Sequence, residues 1–328
     1  MDWSRILTNV VAEAFTPTTA AYALGAIGLN IHFGLTGLLN MGQAGFVLLG
    51  AYGFAIATIA GWPLWAAVLV AMAAAAIFAL ILGIPTLKLR GDYLAIVTIA
   101  AAEIVRLVGR STALTHLTGA SSGLRGKDYK ETFQGASPLP DATWSLGPFD
   151  YQTNASNGWW IRIVAWFVVG LACLLVYLLI RSPWGRVLKG IREDEDAVRS
   201  LGKNVYSYKM QALILGGVIG AVAGIIYVLP RAVQPDSMGR TMTFLMWTIL
   251  LLGGAATVFG PVLGSIIFWA GLMLIKTVMR DGVPETVMRG EQIEAFGWVI
   301  VGVTLMLLVI FRPQGILGDK KELAINVR

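Results

Sequence analysis

Between Thr241 and Arg280 the only charge is Lys276, and the rest of the run is apolar or uncharged. A bilayer core is crossed by roughly 20 apolar residues of helix, so this stretch is too long for one span. It has to fold as two, and GGAATVFGP (Gly253–Pro261) provides an uncharged, glycine-rich break between them. The same logic marks further spans at Ala20–Leu39, Gly42–Ala60, Pro63–Ile84, Tyr93–Val108, Trp159–Ile180, Met210–Leu229 and Ala295–Phe311. Only 13% of the 328 residues are charged and 56% are hydrophobic, against about 25% charged in an ordinary soluble domain. In lipid the backbone must satisfy its own hydrogen bonds, which favours helices. The chain is therefore expected to be an all-α polytopic integral membrane protein with about 8–9 transmembrane helices, forming a single transmembrane domain over residues 1–328.

Glycine punctuates this pattern. GLTGLLNMGQAG (Gly34–Gly45) is a poor continuous helix, because each interior glycine costs roughly 1 kcal/mol, so a broken or kinked helix is expected there. Gly216, Gly220 and Gly224 recur at four-residue spacing and should line one helix face, letting a neighbouring backbone approach closely. Cys173 is the single cysteine, and His32 and His116 are far apart, so neither a disulfide nor a metal cluster is expected. The first residues, MDWSRILTNVVAEAFTPTT, carry acids without a continuous apolar core and read as a short amphipathic lead-in rather than a signal peptide.

The longest charged interval is Arg181–Lys209, RSPWGRVLKGIREDEDAVRSLGKNVYSYK. It is too polar for hydrocarbon, and its basic excess assigns it to the cytoplasm together with Lys88, Arg90, Arg312, Lys320 and Lys321. Residues 111–158 lack such an excess and fall outside as an extracytoplasmic loop without a convincing period. The C-terminus is then cytoplasmic and the N-terminus outside. The net charge of +6 is spread over loops, so it reads as topological and not as a nucleic-acid surface. Within the interval a single short helix, Arg192–Gly202, is expected. Glu193, Asp194, Glu195 and Asp196 fall in its first turn, Arg199 in its last, and Gly202 suits the left-handed position beyond its end. Ala197, Val198 and Leu201 group on one face, which either lies on lipid or enters a groove on a partner; the run of acids opposes anionic lipid.

IREDEDAVRSLGKNVYSYK resembles the cytoplasmic coupling loop of the LivM-type permeases of bacterial ABC transporters for branched-chain amino acids. Ile191, Arg192, Glu193, Glu195, Ala197, Gly202, Asn204 and Lys209 match that loop, while Val198 replaces an alanine and Lys203 a commonly apolar residue. GLNIHFGLTGLLNMGQAGF is similar to the family's N-terminal stretch through Gly28, Asn30, Gly34, Gly37, Leu38, Gly42, Ala44 and Phe46. RGDYLAIVTIAAAEIVRLV, LTGASSGLRG, LLGGAATVFGPVLGS and FRPQGILG match in order, with Ala120 where glycine is usual. The resemblance implies an ABC importer permease fold in a bacterial inner membrane. It implies a homologous second permease, two ATP-binding cassette subunits that use ATP and magnesium, and an extracytoplasmic substrate-binding protein. It further implies that Arg192, Glu193, Glu195, Asp196, Ala197, Arg199 and Gly202 couple to the ATPase. No G-x-x-x-x-G-K-[ST] occurs in the chain, so ATP hydrolysis would belong to another subunit.

Two further groups carry alternatives. Glu103 and Arg106 share a helix face, either lining the path of a zwitterionic amino acid or forming an internal ion pair near the outer end. Asn30, His32, Asn40 and Gln43 cluster in the first helix pair, where broken helices expose backbone to a substrate path, or where polar side chains bind neighbouring helices. Asn30, Asn40, Gln43, Tyr93, Glu103 and Arg106 are thus candidate path residues. Thr118, Gly119, Ser121, Ser122 and Gly123 lie outside and either contact a binding protein or form a plain turn. Trp159 and Trp160 read as interface anchors. The substrate alternatives are urea, short amides or another amino-acid class. A self-sufficient secondary transporter would leave the charged interval without a role, and no nucleophile–base or metal constellation supports an enzyme.

Overall fold

The computed structural model describes residues 2–88, 91–146, 149–282, 290–311 and 314–318. Its helices are α1 (Trp3–Ala14), α2 (Pro17–Leu29), α3 (Gln43–Ile59), α4 (Leu64–Thr86), α5 (Gly91–Arg110), α6 (Thr115–Thr118) and α7 (Gly126–Gly135), then a hairpin of β1 (Thr143–Leu146) and β2 (Phe149–Gln152). There follow α8 (Trp159–Arg181), α9 (Pro183–Glu193), α10 (Glu195–Ser200), α11 (Val205–Val228), α12 (Arg240–Gly253), α13 (Gly260–Gly282) and α14 (Gly290–Phe311). Every apolar run is occupied by a helix, but their lengths differ. Helices α4, α8, α11 and α13 are long and apolar enough to cross a bilayer. Helix α12 has 14 residues, about 21 Å at 1.5 Å per residue, and does not cross a core of about 30 Å alone.

Helix α11 is the centre of the bundle and is enclosed by α2, α3 and α4. Its glycines make that possible. Gly216 lies against the Gly28 carbonyl, and a Cβ on Gly224 would sit 2.0 Å from the Val47 carbonyl oxygen. Replacing Gly224 by leucine should therefore separate α3 from α11 and cost about 2–3 kcal/mol through overpacking. Loss of the monodisperse peak of detergent-solubilised protein would report it. By contrast α8 and α13 are largely exposed, as helices facing lipid or a partner must be.

The expected amphipathic lead-in is helix α1. Asp2 caps α1, Ile6 and Ala14 are buried, and Trp3, Leu7 and Val11 form an exposed apolar stripe. Arg162 at the start of α8 donates to the Ala12 and Phe15 carbonyls, placing α1 at the same end as residues 111–158. At the opposite end, the amides of Ile316 and Leu317 donate to Leu252 and Gly253, so the described C-terminal residues pack on the α12–α13 turn. Arg90, Arg312, Lys320 and Lys321 lie outside the described residues.

Residues 111–158 are more ordered than a loop without a period suggests. They are built of α6, α7, two short 3₁₀ turns and the β1–β2 hairpin. The element that organises them is Tyr129, which is fully buried and donates to the Val228 and Arg231 carbonyls at the end of α11. A tertiary plug of this kind leaves no periodic trace in the sequence.

Candidate functional site

The charged interval holds two helices where one was expected. Ser182 caps α9 and Pro183 opens it, and α9 lays Leu188 and Ile191 into the core. Asp194 then takes an extended conformation, and its carboxylate accepts from the amides of Asp196 and Ala197. A carboxylate in that position both ends α9 and starts α10, so Glu193 belongs to the last turn of α9. Arg199 lies in the last turn of α10 and Gly202 has φ +75°, both as expected.

The side chains divide by direction. Glu195 is held by Lys209 of α11 and, at 3.0 Å, by Arg199. Arg192 points inward and donates from Nη1 to the Gly34 carbonyl at 2.5 Å. Glu193, Asp196, Ala197 and Arg199 face solvent, and Val198 alone of the three apolar residues is buried. Leu201 is 79% exposed, the most exposed large hydrophobic side chain among the described residues.

The expected break in the first helix pair is present. Helix α2 passes into a π-helix over Asn30–Leu35, and the chain turns back through residues 36–42 before α3. Asn30, His32, Asn40 and Gln43 are all fully buried. The Leu213 carbonyl can only accept, so His32 carries its proton on Nε2, which donates to that oxygen at 3.1 Å. The bare Nδ1 then accepts from Asn40 Nδ2 at 3.0 Å. Asn40 Nδ2 also donates to Gln43 Oε1, Asn40 Oδ1 accepts from the Gly42 amide, and Gln43 Nε2 donates to the Gly216 carbonyl. Asn30 spans to the α12–α13 turn, donating to the Thr257 carbonyl at 2.7 Å and accepting from the Ala256 amide at 2.8 Å. These polar groups are engaged by protein. Sequence reasoning missed Thr98 and Thr243, whose hydroxyls accept from the Met41 and Ala44 amides, and Trp247, which donates to the Asn40 carbonyl. Hydroxyls inside apolar runs were the available signal.

Glu103 and Arg106 pair at 2.5 Å towards the C-terminal end of α5. Arg106 also binds Asp236, in the short turn before α12; Arg110 reaches Asp236 at 3.3 Å, and Arg240 stands 3.9 Å from Glu103. The pair is thus the middle of a five-residue cluster joining α5 to α12. Asp236 and Arg240 lie too far along the chain for spacing to reveal. Tyr93 is 58% exposed near the other end of α5, in a stripe with Ile96, Ile104 and Leu107.

In the turn from Thr118 to Gly123, Thr118 is buried while Ser121 and Ser122 are exposed. Gly119 and Gly123 have φ +71° and +70°, and Ala120 has φ +50°. That conformation costs an L-residue roughly 1–2 kcal/mol, a cost that glycine at this position would not carry. Ala120→Gly should raise the thermal midpoint of purified protein by a degree or two.

A bundle of apolar helices with a broken, re-entrant pair against its central helix, and a charged helical segment at one end, is an integral membrane transport component. The chain belongs to the family described as branched-chain amino acid transport system, permease component, whose model matches residues 11–309. It is 30% identical to the high-affinity branched-chain amino acid transport system permease protein LivM of Escherichia coli (strain K12), across 96% of this chain and 72% of that protein. It is 25% identical to the probable LivM of Methanocaldococcus jannaschii, covering 91% of each. A shorter match, 28% identical, joins 42% of the chain to 45% of the autoinducer 2 import system permease protein LsrC of Photorhabdus laumondii.

Proposed function

We propose that this chain is the membrane-spanning permease subunit of an ATP-driven ABC importer that carries branched-chain amino acids across a bacterial inner membrane. Residues 1–328 act as one transmembrane permease domain. It pairs with a second, homologous permease, two ATP-binding cassette subunits and an extracytoplasmic substrate-binding protein. The ATPase subunits bind ATP and magnesium, and this chain binds no cofactor. The charged segment and the C-terminus face the cytoplasm.

The observation that carries this reading is the pairing of a tethered helix with an uncovered apolar face. Helix α10 is fastened to α11 through Lys209 and Glu195, yet Ala197 and Leu201 one turn apart are exposed. A surface of that form fits a groove on another protein. Asp196, Glu193, Arg199 and Gly202 surround it, whereas Arg192 and Glu195 hold it in place. In this scheme Asn30, Asn40 and Gln43 shape the re-entrant break. Tyr93 on the exposed stripe of α5, with Glu103 and Arg106 of the α5–α12 cluster, lines the translocation path, and Thr118–Gly123 meets the binding protein through Ser121 and Ser122.

Co-expression with the ATPase subunits and the binding protein, followed by reconstitution, tests the assignment. ATP-dependent uptake of labelled leucine, isoleucine or valine is the expected result. Uptake without ATP, or uptake competed by urea and not by these amino acids, would overturn it. Glu103→Gln should lower uptake by about tenfold while ATPase association persists, because Arg106 is left with the Asp236 carboxylate alone beside the path. Unchanged initial rates would remove Glu103 from the path.

A further inference from the structure

We infer that Arg192 is the positioning residue through which the charged segment controls the broken helix. The inference rests on the docking of α10 proposed above.

Helix α10 packs on α9 through Val198, whose Cγ2 lies where a Cβ of Gly190 would be only 3.0 Å away. Helix α9 is itself seated in the core by Leu188 and Ile191, at 0% and 4% exposure. One turn beyond Leu188, Arg192 turns away from solvent, its side chain 13% exposed. Nη1 donates to the carbonyl of Gly34, near the end of the π-helix. The last carbonyls of a helix lack partners within it, and a cation there meets both the orphan oxygen and the negative end of the dipole. Gly37, at φ +74°, packs on the same side chain, since its Cβ would lie 3.3 Å from Arg192 Cγ.

Gly34 has little freedom to move independently. A Cβ there would stand 2.6 Å from the Ala256 amide nitrogen and closer still to Asn30 Oδ1. Asn30 in turn holds the Ala256 amide and the Thr257 carbonyl. Displacement of α10 is thereby conveyed through α9 and Arg192 to the π-helix, and from there to the turn between α12 and α13. A π-helix is a less stable arrangement than the α-helix it interrupts and is often placed at functional sites, which suits an element that changes form under load. Arginine suits the link because its planar, permanently charged head reaches a carbonyl without losing its proton.

The test uses the complete transporter with its partner subunits in lipid nanodiscs, with and without a non-hydrolysable ATP analogue plus magnesium. Hydrogen–deuterium exchange is read over residues 195–201 and 30–42, and uptake per ATP hydrolysed is read in proteoliposomes. In the unmodified protein both segments should respond to nucleotide. In Arg192→Gln the response at 195–201 should persist, the response at 30–42 should fall by more than half, and uptake per ATP should drop about tenfold. Arg192→Lys, which keeps one donor, should fall between the two. A 30–42 response and an uptake ratio equal to the unmodified protein overturn the inference, in Arg192→Lys alone if the glutamine variant does not assemble. Absence of a response at 195–201 in the unmodified protein overturns the docking of α10 itself, and so separates that failure from the other.

Discussion

Leu201→Asp should leave the permease folded in the membrane and remove its association with the ATPase subunits, with uptake falling by about thirtyfold or more. Leu201 is 79% exposed, so little of the permease's own stability depends on it, and a surface substitution of this kind changes stability by about 0.5 kcal/mol or less. At an interface the same residue becomes an apolar anchor. Burying an unpaired carboxylate there, in place of a leucine, costs upwards of about 2 kcal/mol, which is a factor of about 30 in binding. Co-purification of the ATPase with tagged permease is the direct measurement, and Leu201→Met is the control that should retain binding. Full association of the aspartate variant would place the dock elsewhere. The expected contrast with Glu195 is instructive. Its carboxylate is held by Lys209 and Arg199, so Glu195→Gln should loosen α10 from α11 before it alters any contact with a partner.

Asn40→Leu should destabilise the permease by about 3–5 kcal/mol and prevent its purification as a folded species. Asn40 is fully buried, and its side chain serves three groups: His32 Nδ1, Gln43 Oε1 and the Gly42 amide. Leucine fills much the same volume and serves none of them. A buried donor or acceptor without a partner costs about 1–3 kcal/mol. Three of them exceed what relaxation of the surrounding glycines can recover. Thermal unfolding in detergent, or the yield after size exclusion, gives the measure. Asn40→Asp should be no milder, because its buried carboxylate keeps the acceptor for Gly42 but offers no donor to His32 Nδ1 or Gln43 Oε1. A leucine variant as stable as the unmodified protein would show that the amide–imidazole chain is not what holds the break.

What could be read from the sequence follows a physical division. Transmembrane runs, the break after Gly34, the glycine face of α11 and the split near Gly254 were legible because hydrophobicity and backbone freedom are local properties. Arg106 was recognisable as half of a pair, but its second carboxylate, Asp236, is supplied from 130 residues away. Proximity of that kind is made by packing. The acidic run Glu193–Asp196 was recognised as a helix start, yet four consecutive acids give four candidate caps. The extended conformation of Asp194 chose among them and divided one expected helix into two. The direction of Arg192 was equally hidden, since a basic residue beside an acidic cluster reads as solvent-facing until α9 is seen to press it onto Gly34. Residues 111–158 gave no period because their order comes from Tyr129 and from the pairing of Leu124 with Val233.

The re-entrant segment also dictates an order of assembly. Met41 and Ala44 leave the ribosome early, but their amides are held by Thr98 of α5 and Thr243 of α12. The carbonyl of Asn40 is held by Trp247 of α12 as well. During synthesis this stretch therefore waits, with exposed peptide groups inside the bilayer, until some two hundred later residues have been threaded and α12 has arrived. A chain truncated before Arg240 should insert its early helices and remain open to protease between residues 36 and 42. Biogenesis of the permease thus returns to its beginning: a late helix, α12, completes the first pair.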